Sequence, residues 1–135
     1  MLFGDEHVKR YIETDGAEGY DWGTGAPILI LTTRGRKTGK QRANALIFQP
    51  HGDNYLVVAS KGGADAPPAW YLNLVDDPNV TVQVKGDRFA AHARTATPEE
   101  KPELWSTMTA VWPDYDNYQT KTDREIPVVV LERAA

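Results

Sequence analysis

Pro27-Ile28-Leu29-Ile30-Leu31-Thr32-Thr33-Arg34-Gly35-Arg36-Lys37-Thr38-Gly39-Lys40-Gln41-Arg42 decides how the chain is read, because an apolar run breaks off there into a glycine-bracketed cationic turn. The run is too short for a lone helix and is β-prone, which makes it a buried strand. Five cations then fall within the nine residues from Arg34 to Arg42, in a chain of formal net charge -4. No acidic residue stands between Trp22 and Gly52 to neutralise them. Gly35 and Gly39 suit a tight turn, leaving backbone N–H groups and the Thr38 hydroxyl free to meet anion oxygens. The competing reading is a solvated hairpin tip that blunts a sheet edge. Repulsion among five neighbouring cations speaks for an anionic ligand instead.

Working outward, Gln41 to Phe48 forms a second strand, and the turn residues Pro50 to Asn54 lead to a third, Tyr55 to Ser60, which together predict an antiparallel meander. Upstream, residues 5 to 13 carry Val8, Tyr11 and Ile12 at helical spacing, and a Gly-rich acidic loop over 14 to 26 bears Tyr20 and Trp22. Downstream, Pro67 to Val75 reads as a helix, and 79 to 84 with 88 to 94 as a hairpin turning at Gly86-Asp87. Thr97 and Glu100 form a capping box for a helix that runs to about Trp112, its start delayed by Pro102. A turn or short helix over 113 to 118 precedes a last strand, Ile126 to Leu131. About six mostly antiparallel strands with inserted helices predict an α+β chain built as a split or Greek-key β-barrel. One domain spans 1–135, with 1–26 as a helix-and-loop arm and 27–135 as the barrel.

Composition narrows the chemistry. The absence of cysteine excludes disulfides, thiolate nucleophiles and iron-sulfur clusters, and fits a cytoplasmic protein. Ser60 and Ser106 lie outside any G-x-S-x-G context, which speaks against a serine hydrolase. His7, His51 and His92 are scattered singly, so no metal is expected. No apolar run is long enough to span a bilayer, and Met1-Leu2-Phe3 leaves only a peripheral membrane contact open. Neither G-x-G-x-x-G nor a Walker A pattern occurs, so a phosphate must be held in another way.

Three segments converge in such a barrel: the cationic turn, Ala59-Ser60-Lys61-Gly62-Gly63, and Trp70-Tyr71-Leu72-Asn73. Cations for an acidic tail, glycines for close approach to a flat ring, and aromatics to cover it make a cofactor site. The run 31 to 42, then S-K-G-G, W-Y-L-N and Asp123-Arg124-Glu125-Ile126-Pro127, in this order and over nearly the whole chain, closely resembles the deazaflavin-dependent nitroreductase family. Members are split β-barrels that bind coenzyme F420, a deazaflavin with a phosphodiester and an oligoglutamate tail.

The resemblance implies an F420H2-dependent oxidoreductase passing a hydride to a small-molecule acceptor: a quinone, a nitroaromatic or an activated enone. Matched residue by residue, it puts Arg36, Lys37, Thr38 and Arg42 on the phosphate and tail. Ala43, Asn44, Ala45, Leu46 and Ile47 fall on the adjacent strand, with Val58, Ala59, Ser60 and Lys61 bordering the cofactor and Ala69, Trp70, Tyr71, Leu72 and Asn73 opposite. Trp112, Tyr115 and Tyr118 would line the acceptor pocket, Tyr115 nearest the cofactor. Trp112 and Ile47 stand where nitroimidazole-reducing members tend to have tyrosine, and nitroimidazole reduction is not assigned. Three alternatives stay open: an FMN-binding split barrel, an F420 carrier without catalysis, and a basic loop that binds single-stranded nucleic acid, the last disfavoured by the net charge. The chain is expected as a monomer or homodimer.

Overall fold

The computed structural model describes residues 2–134; Met1, part of the apolar tip noted above, lies outside them. In chain order the elements are α1 (Gly4–Thr14), β1 (Asp21–Trp22), β2 (Ala26–Arg34), β3 (Gln41–Ile47), β4 (Gln49–His51), β5 (Asn54–Val58), α2 (Ala69–Asp76), β6 (Asn79–Val84), β7 (Asp87–Thr95), α3 (Lys101–Val111), α4 (Asp114–Thr120) and β8 (Val128–Arg133). One eight-stranded antiparallel sheet runs β1-β2-β6-β7-β8-β5-β4, with β3 paired to β2. The six long strands of the sequence reading are all present. The other two, β1 and β4, are two and three residues long.

The apolar run of β2 is continuous because both of its faces are covered. Leu29 and Leu31 point into the barrel with Val57, Val82, Val129 and Leu131, while Ile28 and Ile30 lie under α1 beside Tyr11. The same alternation puts Leu56, Val58, Val128 and Val130 under α3 and α4, with Met108 and Tyr115. Ile47 at the end of β3 packs against both outer clusters, which places it where the α1 side of the barrel meets the α4 side.

The predicted meander is corrected at this seam. β3 pairs only with β2, while β5 takes β4 on one edge and β8 on the other. Phe48 turns inward after β3, its N–H donating to the Pro27 carbonyl at 3.1 Å, and Gln49–His51 folds back on β5 as a separate hairpin. Pro50 has no N–H to give and sits on the outer strand of the sheet, where none is required. The barrel is therefore split between β3 and β5.

α1 is anchored by one side chain. Tyr11 is fully buried; its hydroxyl donates to the Ile28 carbonyl at 2.8 Å and accepts the Lys85 N–H at 2.7 Å. His7, one turn earlier, is buried too, while Ile12, assigned above to the apolar stripe, is 37% exposed. Tyr11→Phe leaves a backbone donor and a backbone acceptor without this partner, and we expect a loss of about 1–3 kcal/mol, read as a lower urea midpoint at unchanged m-value. The capping box forms as read: Thr97 N–H donates to the Glu100 carboxylate at 3.0 Å and Glu100 N–H to the Thr97 hydroxyl at 3.3 Å. Arg94 also pairs with Glu100 and holds its carboxyl below the usual range.

Candidate active site

A cleft of about 1150 Å³ opens along the split. One wall is β3, from Gln41 to Ile47; the other is Val58, Ser60, Lys61 and Gly62 at the end of β5, together with the start of α2. The N-terminal arm and α4 close the far end. The cations of the β2–β3 turn lie at one end and the aromatics of the arm and α4 at the other, with Lys9 and Lys61 also in the lining.

At the cationic end, the Gly35 N–H donates to the Lys40 carbonyl at 2.8 Å and the Gly39 N–H to the Gly35 carbonyl at 2.7 Å. Gly39 sits at φ +72, a conformation that a side chain would strain. Asn73 on α2 fixes the turn. Its Oδ1 accepts from the Arg36 backbone N–H at 3.2 Å and from Arg36 Nη1 at 3.1 Å, and its Nδ2 donates to the Thr33 hydroxyl at 3.2 Å. The Thr38 hydroxyl is only partly free, because it accepts the Lys40 N–H at 3.2 Å. Arg34 comes within 4.0 Å of Asp77, an acid far away in sequence. Among the described residues, Arg36, Lys37, Lys40 and Arg42 have no carboxylate within ion-pair distance.

The aromatic end is roofed by the arm. Trp22 lies 5.4 Å from Trp112, ring centre to ring centre, and 5.7 Å from Phe3, and its indole N–H donates to the Leu2 carbonyl at 2.8 Å. Trp112 in turn donates to the Tyr118 hydroxyl at 3.2 Å. Tyr115 is 5% exposed and lines the cleft, and no hydrogen bond of its hydroxyl occurs among the described residues. Burial first, and the neighbouring Tyr118 second, push its phenol well above the ordinary value.

The structure brings most of the sequence-selected residues to this one cleft: Arg36, Lys37, Thr38, Arg42, Ala43 to Ile47, Val58, Ser60, Lys61, Ala69, Trp70, Asn73, Trp112, Tyr115 and Tyr118. Three do not line it. Ala59 is wholly buried in the barrel, Tyr71 faces a second, smaller pocket and hydrogen-bonds Thr95 at 2.8 Å, and Leu72 is outside the lining. The cleft also holds Phe3, His7, Lys9 and Trp22, which the sequence reading did not select as site residues. Their signal was the aromatic content of the arm and the i, i+4 pairing of His7 with Tyr11.

A family model described as F420H(2)-dependent quinone reductase matches residues 4–133. An F420H(2)-dependent quinone reductase of Mycobacterium tuberculosis is 39% identical over 130 residues, covering 94% of this chain and 87% of that protein. Among solved structures, one described as a domain-swapped dimer has a TM-score of 0.76 at 38% identity, covering 94% of this chain and 95% of that chain. An F420-H2 dependent reductase, FDR-A, has a TM-score of 0.73 at 40% identity, covering 78% of this chain and 94% of that one. Among the described residues, no helix is long and apolar enough to cross a membrane.

Proposed function

The chain belongs to the F420H(2)-dependent quinone reductase family and is an F420-dependent oxidoreductase; from that premise we propose that its split-barrel cleft holds the deazaflavin lengthwise and presents it to a quinone under the aromatic roof. The observation that carries this reading is the sorting of the cleft. Arg36, Lys37 and Arg42, which have no acid partner among the described residues, stand at one end, and an apolar, aromatic surface at the other. A ligand with a polyanionic tail and a flat ring matches both ends at once.

Arg36, Lys37 and Arg42 would hold the phosphate and the acidic tail, with Asn73 keeping the Arg36 guanidinium in place. Ile47, Val58 and Trp70 offer apolar surface to the ring, and Ser60 borders it. In its reduced form the bound deazaflavin supplies a hydride. The protein would orient the acceptor against the ring, and Trp22 and Trp112 keep water from the reacting end. Tyr115 keeps its proton and offers a hydrogen bond to the acceptor where negative charge develops.

The test is equilibrium binding of oxidised F420, FMN and a single-stranded oligonucleotide to the same protein. F420 is expected to bind with micromolar or tighter affinity, about -8 kcal/mol, with FMN weaker because one phosphate engages fewer cations. Turnover of a quinone by reduced F420 completes the reading. Binding of FMN or the oligonucleotide in preference to F420 would sink it.

A further inference from the structure

Deepening that reading, we infer that Arg124, which lies behind the cleft and touches none of its contents, is a positioning residue that joins the Ser60–Gly62 wall to the helix bearing Tyr115 and Tyr118. The proposal rests on a closed set of contacts. Arg124 Nε donates to the Ala64 carbonyl at 2.8 Å, Nη1 and Nη2 both donate to the Ala59 carbonyl at 3.2 Å, and Nη2 also donates to the Ser60 carbonyl at 2.8 Å. Four bonds from one guanidinium thus clasp both ends of the loop. No carboxylate among the described residues lies within ion-pair distance of Arg124, so its fork is committed to the backbone.

The other two sides of the set run through α4. Gln119 donates from Nε2 to the Arg124 carbonyl at 2.8 Å and accepts the Ile126 N–H at 2.9 Å, fixing the Arg124 segment to that helix. Gly63 at φ +86 presses on α4 so closely that an added Cβ would lie 2.6 Å from the Tyr118 carbonyl. Loop, arginine segment and helix therefore brace one another in a triangle. The loop itself needs the brace, because Lys61, Gly62 and Gly63 are left-handed in succession, at φ 47, 63 and 86, and Lys61 carries a side chain. Ser60 borders the deazaflavin and Tyr115 the acceptor in the reading above, so the triangle sets the distance between the two reactants. A planar fork that reaches three carbonyls is something a lysine cannot reproduce.

The test begins without cofactor. Hydrogen exchange is followed in peptides covering 60–64 and 114–120 of the wild type and of Arg124→Gln, Arg124→Lys and Gly63→Ala. We expect exchange to rise by about tenfold or more in both segments together, with the barrel strands unchanged. Lysine should fall between wild type and glutamine, and Gly63→Ala should give the same pattern from the opposite side of the loop. With F420, the Kd stays within about threefold, because the cationic turn is untouched, while kcat falls by about 10²-fold from misalignment. Exchange that is unchanged, or raised evenly across all peptides, would overturn the inference, as would an unchanged kcat. Failure of the wild type to bind F420 would overturn the proposed function instead, and leaves the exchange result as a separate reading of the triangle.

Discussion

Lys37→Ala combined with Arg42→Ala weakens F420 binding by about 10²- to 10³-fold and leaves the fold intact. Lys37 is exposed on the turn between β2 and β3 and Arg42 at the start of β3, and neither has an ion pair among the described residues. Their removal therefore deletes no folding contact, and the stability change should stay within about 0.5 kcal/mol. Their mutual repulsion argues for the same sign, since the unliganded turn is relieved when two of its charges go. Each charge-assisted bond to a phosphate or carboxylate oxygen contributes about 1.5–3 kcal/mol, and two at the lower end of that range, as exposed groups give, make about 3–4 kcal/mol, the stated loss at about 1.4 kcal/mol per tenfold. The salt dependence should change with the affinity. Wild-type binding weakens as salt rises, because the tail is held by exposed charges, and the double variant shows a flatter slope. Fluorescence titration at two salt concentrations reads both. A Kd shift below about threefold would mean that the turn is a solvated tip and that the tail binds elsewhere.

Much of this architecture is legible in the sequence because local chemistry and tertiary packing ask for the same thing. Pro27 to Thr33 reads as buried and is buried on both faces, and Thr97 with Glu100 forms the capping box that their spacing announces. Where local chemistry is silent, the reading stops. Nothing in Tyr55 to Ser60 says that its partner is the last strand rather than the preceding one, because that choice is made by where Phe48 and Pro50 send the chain. Strands as short as β1 and β4 fall below any periodicity that can be counted. Ile12 has the right spacing for the core, yet His7 takes the buried place on that face. Arg124 enters from the sequence only as part of the Asp123–Pro127 run that carries the family resemblance, and only the structure shows its guanidinium spent on carbonyls. The residues that line the cleft were legible as a set because charge, glycine and aromatics recur in separate segments. Which of Tyr71, Leu72 and Asn73 turns inward depends on the seating of α2, and there Asn73 is the one that lines the cleft.

Tyr115→Phe lowers the rate of acceptor reduction by about 10²-fold with the F420 Kd within about threefold, whereas Tyr118→Phe costs far less. The two tyrosines stand with ring centres 6.0 Å apart on α4, but their hydroxyls differ in what they are free to do. That of Tyr118 is tied to the roof by accepting the Trp112 indole N–H; its own proton stays available, but its loss chiefly unpairs a roof residue. Tyr115 lines the cleft and its hydroxyl has no partner among the described residues, on a ring otherwise buried among Trp105, Met108 and Tyr118. A hydride arriving at a quinone leaves negative charge on its oxygen, and a neutral phenol placed there donates to that oxygen more strongly as the charge grows. The protonation state follows from the surroundings. Burial disfavours the phenolate and the neighbouring Tyr118 acts in the same direction, so the proton stays on Tyr115. From about pH 6 to about pH 9 the rate should show no titration assignable to this group. Stopped-flow oxidation of reduced F420 at several pH values measures both claims. A wild-type rate that falls through neutral pH and becomes flat in Tyr115→Phe would mean that the group titrates where burial forbids it. A Tyr115→Phe rate within threefold of wild type would move the hydrogen-bond donor elsewhere, and His7, buried on the arm at the same end of the cleft with Nε2 2.8 Å from the Gly19 carbonyl, would be the next side chain to replace.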